Sequence, residues 1–437
     1  MYNKYMEMIK ENVKERVIIV GTDLGAYPHS LESSMSELVE LVKADGAEVV
    51  GEITQNLEKF SPKFLIGSGK VNEIKDMIPK LEANAVVFND ELSGVQLRNL
   101  EDVFNNFEKF DRKIKVLDRT NLILDIFALR ATTYEGKLQV QLAQLNYQLP
   151  RLIGIDGWSR TGGGIGTRGP GEQIIETDRR RLLREIDTIK RKLKKAQKNR
   201  ELTRSRRMEN KIPIVSLVGY TNAGKSTLLN RLKISDSKEV FVENMLFATL
   251  DPNSRRAQLP DGREYIVSDT VGFVSKLPTK LIEAFKSTLE EIKYSDLILH
   301  VIDVSSEDME IQYKTTMKIL KDLEVDLEKV VNVFNKSDKV NISETLVSPK
   351  IGGEKVFISA KNGENLDNLL KIISESLPVK LKKVKMKIGY EDSSVLSEVL
   401  DNHKSEHLEY LDDGVQLTVT LSIEEYNRFK RYVISDV

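Results

Sequence analysis

The apolar run IVSLVG, from Ile214 to Gly219, leads directly into GYTNAGKST. Gly219, Gly224, Lys225 and Ser226 match the spacing GxxxxGK[ST], and a strand before it with a helix after it is the setting in which that spacing marks a phosphate loop. A strand, loop and helix of this kind belong to an open, mostly parallel α/β sheet. The amides of Gly219, Asn222, Ala223, Gly224 and Thr227 are expected to cradle phosphate oxygens at the helix N-terminus. Lys225 should bridge the terminal phosphates, and the Ser226 hydroxyl should ligate Mg²⁺.

Three further motifs follow in order. A hairpin signal at Asp261 and Gly262 joins RRAQL to EYIVSD, whose last residue, Asp269, opens DTVGF. A carboxylate at that strand end can hold Mg²⁺, while the Gly272 amide can reach the terminal phosphate. NKSD (Asn335, Lys336, Asp338) follows the run VVNVF, and SAK (Ser359, Ala360, Lys361) follows EKVFI. Asp338 can accept from the N1 and amino groups of guanine, for which adenine has no counterpart. Asn335 and Lys336 would brace the base, and the Ala360 amide can meet the guanine oxygen. The series specifies a Ras-like, guanine-specific P-loop domain with GTP and GDP as ligands and hydrolysis of GTP as its reaction. Where many such proteins carry a glutamine that orients the attacking water, this chain has Phe273, so slow intrinsic hydrolysis and stimulation by a partner are expected. Asn222 is either a plain loop-stabilising asparagine or the holder of a K⁺ ion.

From Val17 to about Arg130, the runs VIIV, AEVVGEI, AVVF and IKVL alternate with helical patterns over Leu31–Ala44, Val71–Leu81, Val95–Phe107 and Arg119–Leu129. That alternation predicts a second parallel α/β layer. Its GSGK (Gly67–Lys70) reads as a tight strand-to-helix turn or as a second nucleotide contact, with ATP as the ligand. Next, Leu138, Leu142, Leu145 and Leu149 and then Leu182, Ile186, Ile189 and Leu193 keep a helical period, which predicts an antiparallel hairpin of two amphipathic helices. Its tip, RTGGGIGTRGPGE, concentrates glycine. Arg160, Gly163, Gly164 and Arg168 are candidate RNA contacts there, against a flexible linker. The second helix begins with Arg179, Arg180 and Arg181. From Asp178 to Lys211 there are 15 Lys or Arg and 5 Asp or Glu, a net of +10, inside a chain whose total is −1. Such an arm suits phosphate-rich RNA better than a membrane, though a solvated face is the alternative.

The stretch after Val379 reads as a strand, a helix over SVLSEVLDN, a hairpin around Asp412–Gly414 and a helix over IEEYNRFKRYV, a small α+β unit suited to docking or to capping. His403 and His407 have helical spacing but lack the HExxH pattern of a zinc site. The expected organisation is an N-terminal α/β domain (1–130), the hairpin (131–210), the P-loop domain (211–378) and the C-terminal unit (379–437). Cysteine is absent, which excludes disulfides and thiolate metal sites. The charged first residues argue against a signal peptide, and no apolar run approaches the ~18 residues of a membrane span. A cytoplasmic location is expected.

FATLDP is similar to the switch segment of translation-factor-related GTPases. The likeness makes Thr249 the threonine that closes on Mg²⁺ and the terminal phosphate, beside the reading of an ordinary loop threonine; Lys225, Thr249 and Gly272 would then serve the reacting phosphate. Together, SRTGGGIGTRGPGE, GYTNAGKST, FATLDP, DTVGF, NKSD and SAK resemble the HflX family of GTPases over residues 1 to about 378. The resemblance implies binding to the large ribosomal subunit and its RNA, an N-terminal part reaching toward the peptidyl transferase centre, and splitting or rescue of ribosomes under stress. Two other readings share the motifs: an RNA-binding remodeller with an ATP site at GSGK, and a GTPase of ribosome assembly.

Overall fold

The computed structural model describes residues 14–25, 30–106, 113–153, 170–209, 212–233, 247, 253–260, 263–275, 289, 291–340, 351–377, 381–403 and 405–436, and for some of these, including 170–175 and 197–209, the backbone alone. Thr249, Arg160, Gly163, Gly164, Arg168 and the turn Asp261–Gly262 lie outside the described residues.

The N-terminal unit alternates β1 (Arg16–Asp23), α1 (Leu31–Ala44), β2 (Glu48–Asn56), α2 (Ser68–Lys80), β3 (Ala85–Phe88), α3 (Gly94–Asn105), β4 (Lys115–Asp118) and α4 (Arg119–Arg130). The strands pair in parallel in the order β2-β1-β3-β4. Because strand side chains alternate between faces, Val17 and Ile19 enter one core with α1 and α4, while Ile18 and Val20 enter another with α2 and α3. Burial on both faces explains why the central strands β1 and β3 are continuous apolar runs. Helix starts are fixed locally. Ser30 caps α1, Ser93 and Gln96 form a capping box on α3, and Asp118 caps α4.

The hairpin helices are α5 (Tyr134–Ile153) and α6 (Pro170–Glu209). Leu138, Leu145, Ile186 and Ile189 are buried along their seam, with Leu142, Leu149, Leu182 and Leu193 packed around them. One end of α5 is bolted to the N-terminal sheet. The Arg151 guanidinium reaches Asp118 at 2.9 Å and the Leu92 carbonyl at 2.8 Å, and Gly94 lets the backbones approach, since a Cβ there would sit 2.6 Å from the Arg151 oxygen.

The third unit comprises β5 (Ile214–Gly219), α7 (Lys225–Leu232), β6 (Asn253–Gln258), β7 (Glu264–Asp269), β8 (Leu297–Asp303), α8 (Met309–Asp322), β9 (Val330–Asn335), β10 (Lys355–Phe357) and α9 (Leu366–Ser376). Its sheet runs β10-β9-β8-β5-β7-β6, parallel throughout except for the antiparallel pair β6/β7.

The C-terminal unit is β11 (Leu381–Ile388), α10 (Ser393–Asn402), β12 (Ser405–Leu411), β13 (Gly414–Ser422), α11 (Ile423–Arg428) and β14 (Val433–Asp436), a βαββαβ chain in an antiparallel sheet ordered β12-β13-β11-β14. Here the structure corrects the sequence reading. The last helix stops at Arg428, and the chain passes through a short 3₁₀ turn into β14, which pairs with β11. Likewise His403 ends α10 and His407 lies on β12, so the two do not share a helix face.

Candidate nucleotide site

β5 delivers its last residue into a bend that only glycine tolerates. Gly219 has φ +146°, and a Cβ there would lie 2.2 Å from the Val301 carbonyl of β8. Asn222 and Gly224 also take left-handed backbone, φ +60° and +96°. Left-handed backbone just before the N-terminus of α7 is the conformation that an anion-binding loop requires.

Lys225 is buried beneath this loop. Its Nζ donates to the Gly219 and Tyr220 carbonyls at 3.0 and 2.8 Å. Burial pushes its pKa down to about 8, against the opposing pull of Asp269. Beside it, the Ser226 hydroxyl donates to Asp269 Oδ2 at 2.7 Å, and Asp269 is fully buried. A hydroxyl and a carboxylate meeting at a helix N-terminus form a hard oxygen donor set suited to Mg²⁺. Thr227 follows within α7.

On the other side of the loop, Asn335 joins two segments: its Nδ2 donates to the Ala223 carbonyl at 2.8 Å, and its Oδ1 accepts the Ala360 amide at 2.9 Å. An oxygen on a bound base would share or replace that last partner. Ser359 donates to Asp338 at 2.6 Å, which holds the exposed Asp338 carboxyl below its usual range. Lys336, at φ +63°, pairs with Asp303 at 2.7 Å. Arg231 of α7 donates to the Ala360 and Lys361 carbonyls, fixing the SAK loop. Asp303 and Arg231 belong to no motif, and their roles become visible only in three dimensions.

The segment after Asp269 lies across the loop. Thr221 N donates to the Phe273 carbonyl at 2.7 Å and Phe273 N to the Gly219 carbonyl at 3.1 Å. A Cβ on Gly272 would sit 2.7 Å from Thr221 Cγ2 and 3.0 Å from Lys225 Nζ. The Phe273 ring is buried with Tyr220, Leu289 and Ile292. A further contact was not legible in the motifs. Val271, Val274 and Phe247 enter the core of the N-terminal unit, with the Phe247 and Phe127 rings edge-on at 4.6 Å.

Three family models match consecutive stretches of the chain: the GTP-binding GTPase N-terminal region over 32–128, the GTP-binding GTPase middle region over 130–207, and the 50S ribosome-binding GTPase over 214–336. The GTPase HflX of Caldanaerobacter subterraneus subsp. tengcongensis is 45% identical over 423 residues, covering 97% of this chain and 94% of its own. That of Escherichia coli K12 is 37% identical over 400 residues, covering 90% and 91%. The chain belongs to the HflX family of GTPases. GTP is therefore its ligand and its hydrolysis the reaction. Among solved structures, a GTP-binding protein from Sulfolobus solfataricus in complex with GDP is 23% identical, spans 83% of this chain and 98% of its own, and superposes with a TM-score of 0.44.

Of the RNA candidates in this HflX chain, Arg179, Arg180 and Arg181 stand exposed near the start of α6, the first two paired with Glu176 at 3.5 and 3.0 Å. GSGK forms the first turn of α2. The Gly67 amide donates to Gln55 Oε1 at 2.9 Å, and Lys70 pairs with Glu73 at 2.9 Å. Among the described residues, no helix is long and apolar enough to cross a membrane.

Proposed function

We propose that this HflX-family GTPase uses Mg²⁺ and GTP to engage the large ribosomal subunit, splits or rescues ribosomes, and leaves on hydrolysis. The observation that carries the reading is the two-sided helix α6. Ile186 and Ile189 are buried on its seam, while Arg181, Arg184, Lys190, Arg191 and Lys192 are exposed on the rest of its surface. With the seam already occupied by α5, the cationic surface is left to meet phosphates. The match of 214–336 to a 50S ribosome-binding GTPase supports the same partner.

At the site, Ser226 and Asp269 would hold Mg²⁺, with Thr249 added when the switch segment closes. The ion supplies neutralisation of charge on the phosphate oxygens. Lys225 adds its own charge at the terminal phosphates, and the Gly272 amide would donate to the reacting group. Asn335, Lys336, Asp338 and the Ser359–Lys361 loop select guanine. Phe273, buried in the core and without a polar atom, leaves the attacking water unoriented, so the ribosome has to complete the site. Asn222, held at positive φ in the loop, is the residue that would face a K⁺ ion.

Steady-state GTP hydrolysis in K⁺ buffer, with and without large subunits, at two salt concentrations, tests the reading. A slow basal rate, raised strongly by mature subunits and less so at high salt, is expected; Na⁺ in place of K⁺ should lower it. Stimulation by immature subunits alone would favour an assembly role, and a rate indifferent to subunits would remove ribosomal activation.

A further inference from the structure

Glu37 of α1 gathers donors from two segments of the GTPase unit. Its Oε1 accepts from the Tyr220 hydroxyl at 2.9 Å and from the Ser275 amide at 3.2 Å. Its Oε2 accepts from the Ser275 hydroxyl and pairs with Arg119. Arg119 in turn donates to the Ser275 hydroxyl at 2.9 Å and to Asn89 Oδ1 at 2.8 Å. The side chains of Arg119 and Glu37 are 3% and 14% exposed, so this is an internal junction and not a surface ion pair. Burial alone would raise the Glu37 carboxyl; the Arg119 charge and the bonds from Ser275 and Tyr220 outweigh it and keep it ionised.

The junction has a consequence for the nucleotide. Tyr220 lies inside the phosphate loop, and Ser275 closes the segment that zips onto it through Phe273. In that docked arrangement Gly272 sits so close to Lys225 that a single added carbon would touch the ammonium at 3.0 Å. A terminal phosphate held between Lys225 and the Gly272 amide needs room there, which lifting of the segment would supply as the Lys225 ammonium leaves the Gly219 and Tyr220 carbonyls. GDP, which lacks that phosphate, makes no such demand. The docked arrangement gives both Glu37 oxygens donors from the GTPase unit, and lifting the segment would withdraw those of Ser275.

We propose that Glu37, backed by Arg119, is a positioning residue supplied by the N-terminal unit, which latches the Val271–Ser275 segment on the phosphate loop and so sets the chain's discrimination between GTP and GDP. The proposal rests on the assignment of the phosphate loop given above. A latch of this kind shifts an equilibrium between two arrangements and acts only on the ligand that distinguishes them.

The test uses the full chain and fluorescent GDP and a non-hydrolysable GTP analogue, with Glu37→Gln, Ser275→Ala and the double variant. Each single change should tighten the GTP analogue by about tenfold or more, the effect of losing one hydrogen bond to a charged group, and leave GDP within about twofold. Because both changes cut the same bond, the double variant should gain little over either single one. KM for GTP should fall with them. Ser275→Ala keeps the Glu37–Arg119 pair intact and carries the test if Glu37→Gln folds poorly. An unchanged ratio of the two affinities, with GDP still bound, overturns the latch and leaves the site assignment standing. Equal weakening of both nucleotides reduces Glu37 to a structural role and also overturns it. A wild-type chain that binds neither nucleotide would overturn the site assignment and the latch with it.

Discussion

Asp45 places a carboxylate at the C-terminal cap of α1, where the helix carbonyls already concentrate negative potential. Burial pushes its pKa up to about 7, with repulsion from Asp125 and Glu15 adding and Lys115 opposing; burial also pushes Asp125 up to about 6. A carboxyl raised on folding holds its proton more tightly in the folded chain. Its contribution to stability is therefore full below the unfolded pKa, near 4, and is lost as pH rises through about 7. The whole shift would correspond to about 4 kcal/mol, and since Asp45 is partly exposed, solvent screening reduces this to about 1–2 kcal/mol. Asp45→Asn should raise the first thermal transition at pH 8 by a few degrees and change it little at pH 4. Melting curves of both chains at the two pH values check this, and an equal shift at both would assign the effect to capping and not to charge.

At the scale of elements, the hairpin packs Val140, Ala143 and Tyr147 of α5 into the core of the N-terminal unit, and a guanidinium ties its end to the sheet. Arg151 stacks 3.3 Å over the Tyr147 ring, donates to the Tyr147 and Leu92 carbonyls, and meets an Asp118 carboxylate that is wholly buried. Asp118 also caps α4 and accepts the Leu92 amide, so three elements converge on it. Arg151→Met keeps the apolar stem but leaves a buried charge with less compensation, a loss on the order of 3–5 kcal/mol. Urea unfolding followed by hydrogen exchange in α4 and α5 should show the deficit concentrated in those helices. Periodicity alone made the two hairpin helices and the N-terminal strands legible, because their apolar residues repeat every turn or every second position. Arg151 was not legible, since its partners lie 33 and 59 residues away and carry no pattern. The misread C-terminal helix has the same cause. Tyr426, Phe429 and Tyr432 keep a helical spacing, yet the chain after Arg428 gains more by pairing with the free side of β11, a choice set by tertiary context.

For the molecule as a whole, the motifs of the candidate nucleotide site were legible because each is a short segment at a strand end, where one sheet gathers them without help from elsewhere. The joint between that sheet and the N-terminal unit was hidden, because Glu37, Arg119 and Phe127 look like ordinary helix residues until Ser275, Tyr220 and Phe247 stand opposite them. That joint links the GTPase unit to the unit carrying the hairpin, and the charge is divided along the chain: the stretch from Asp178 to Lys211 sums to +10 and the remainder to −11. A body of that sign is repelled by RNA, so binding should be confined to the arm and should depend steeply on salt. Each phosphate contact adds about 0.7–0.9 to the slope of log affinity against log salt. Replacing Arg181, Arg184, Lys190 and Arg191 with glutamine keeps the buried seam and removes four exposed cations. If all four meet phosphates, the slope for large-subunit binding, measured by pelleting across a salt series, should fall by about 3. A slope unchanged by the four substitutions would mean that this face of α6 is a solvated surface and that the subunit is held elsewhere.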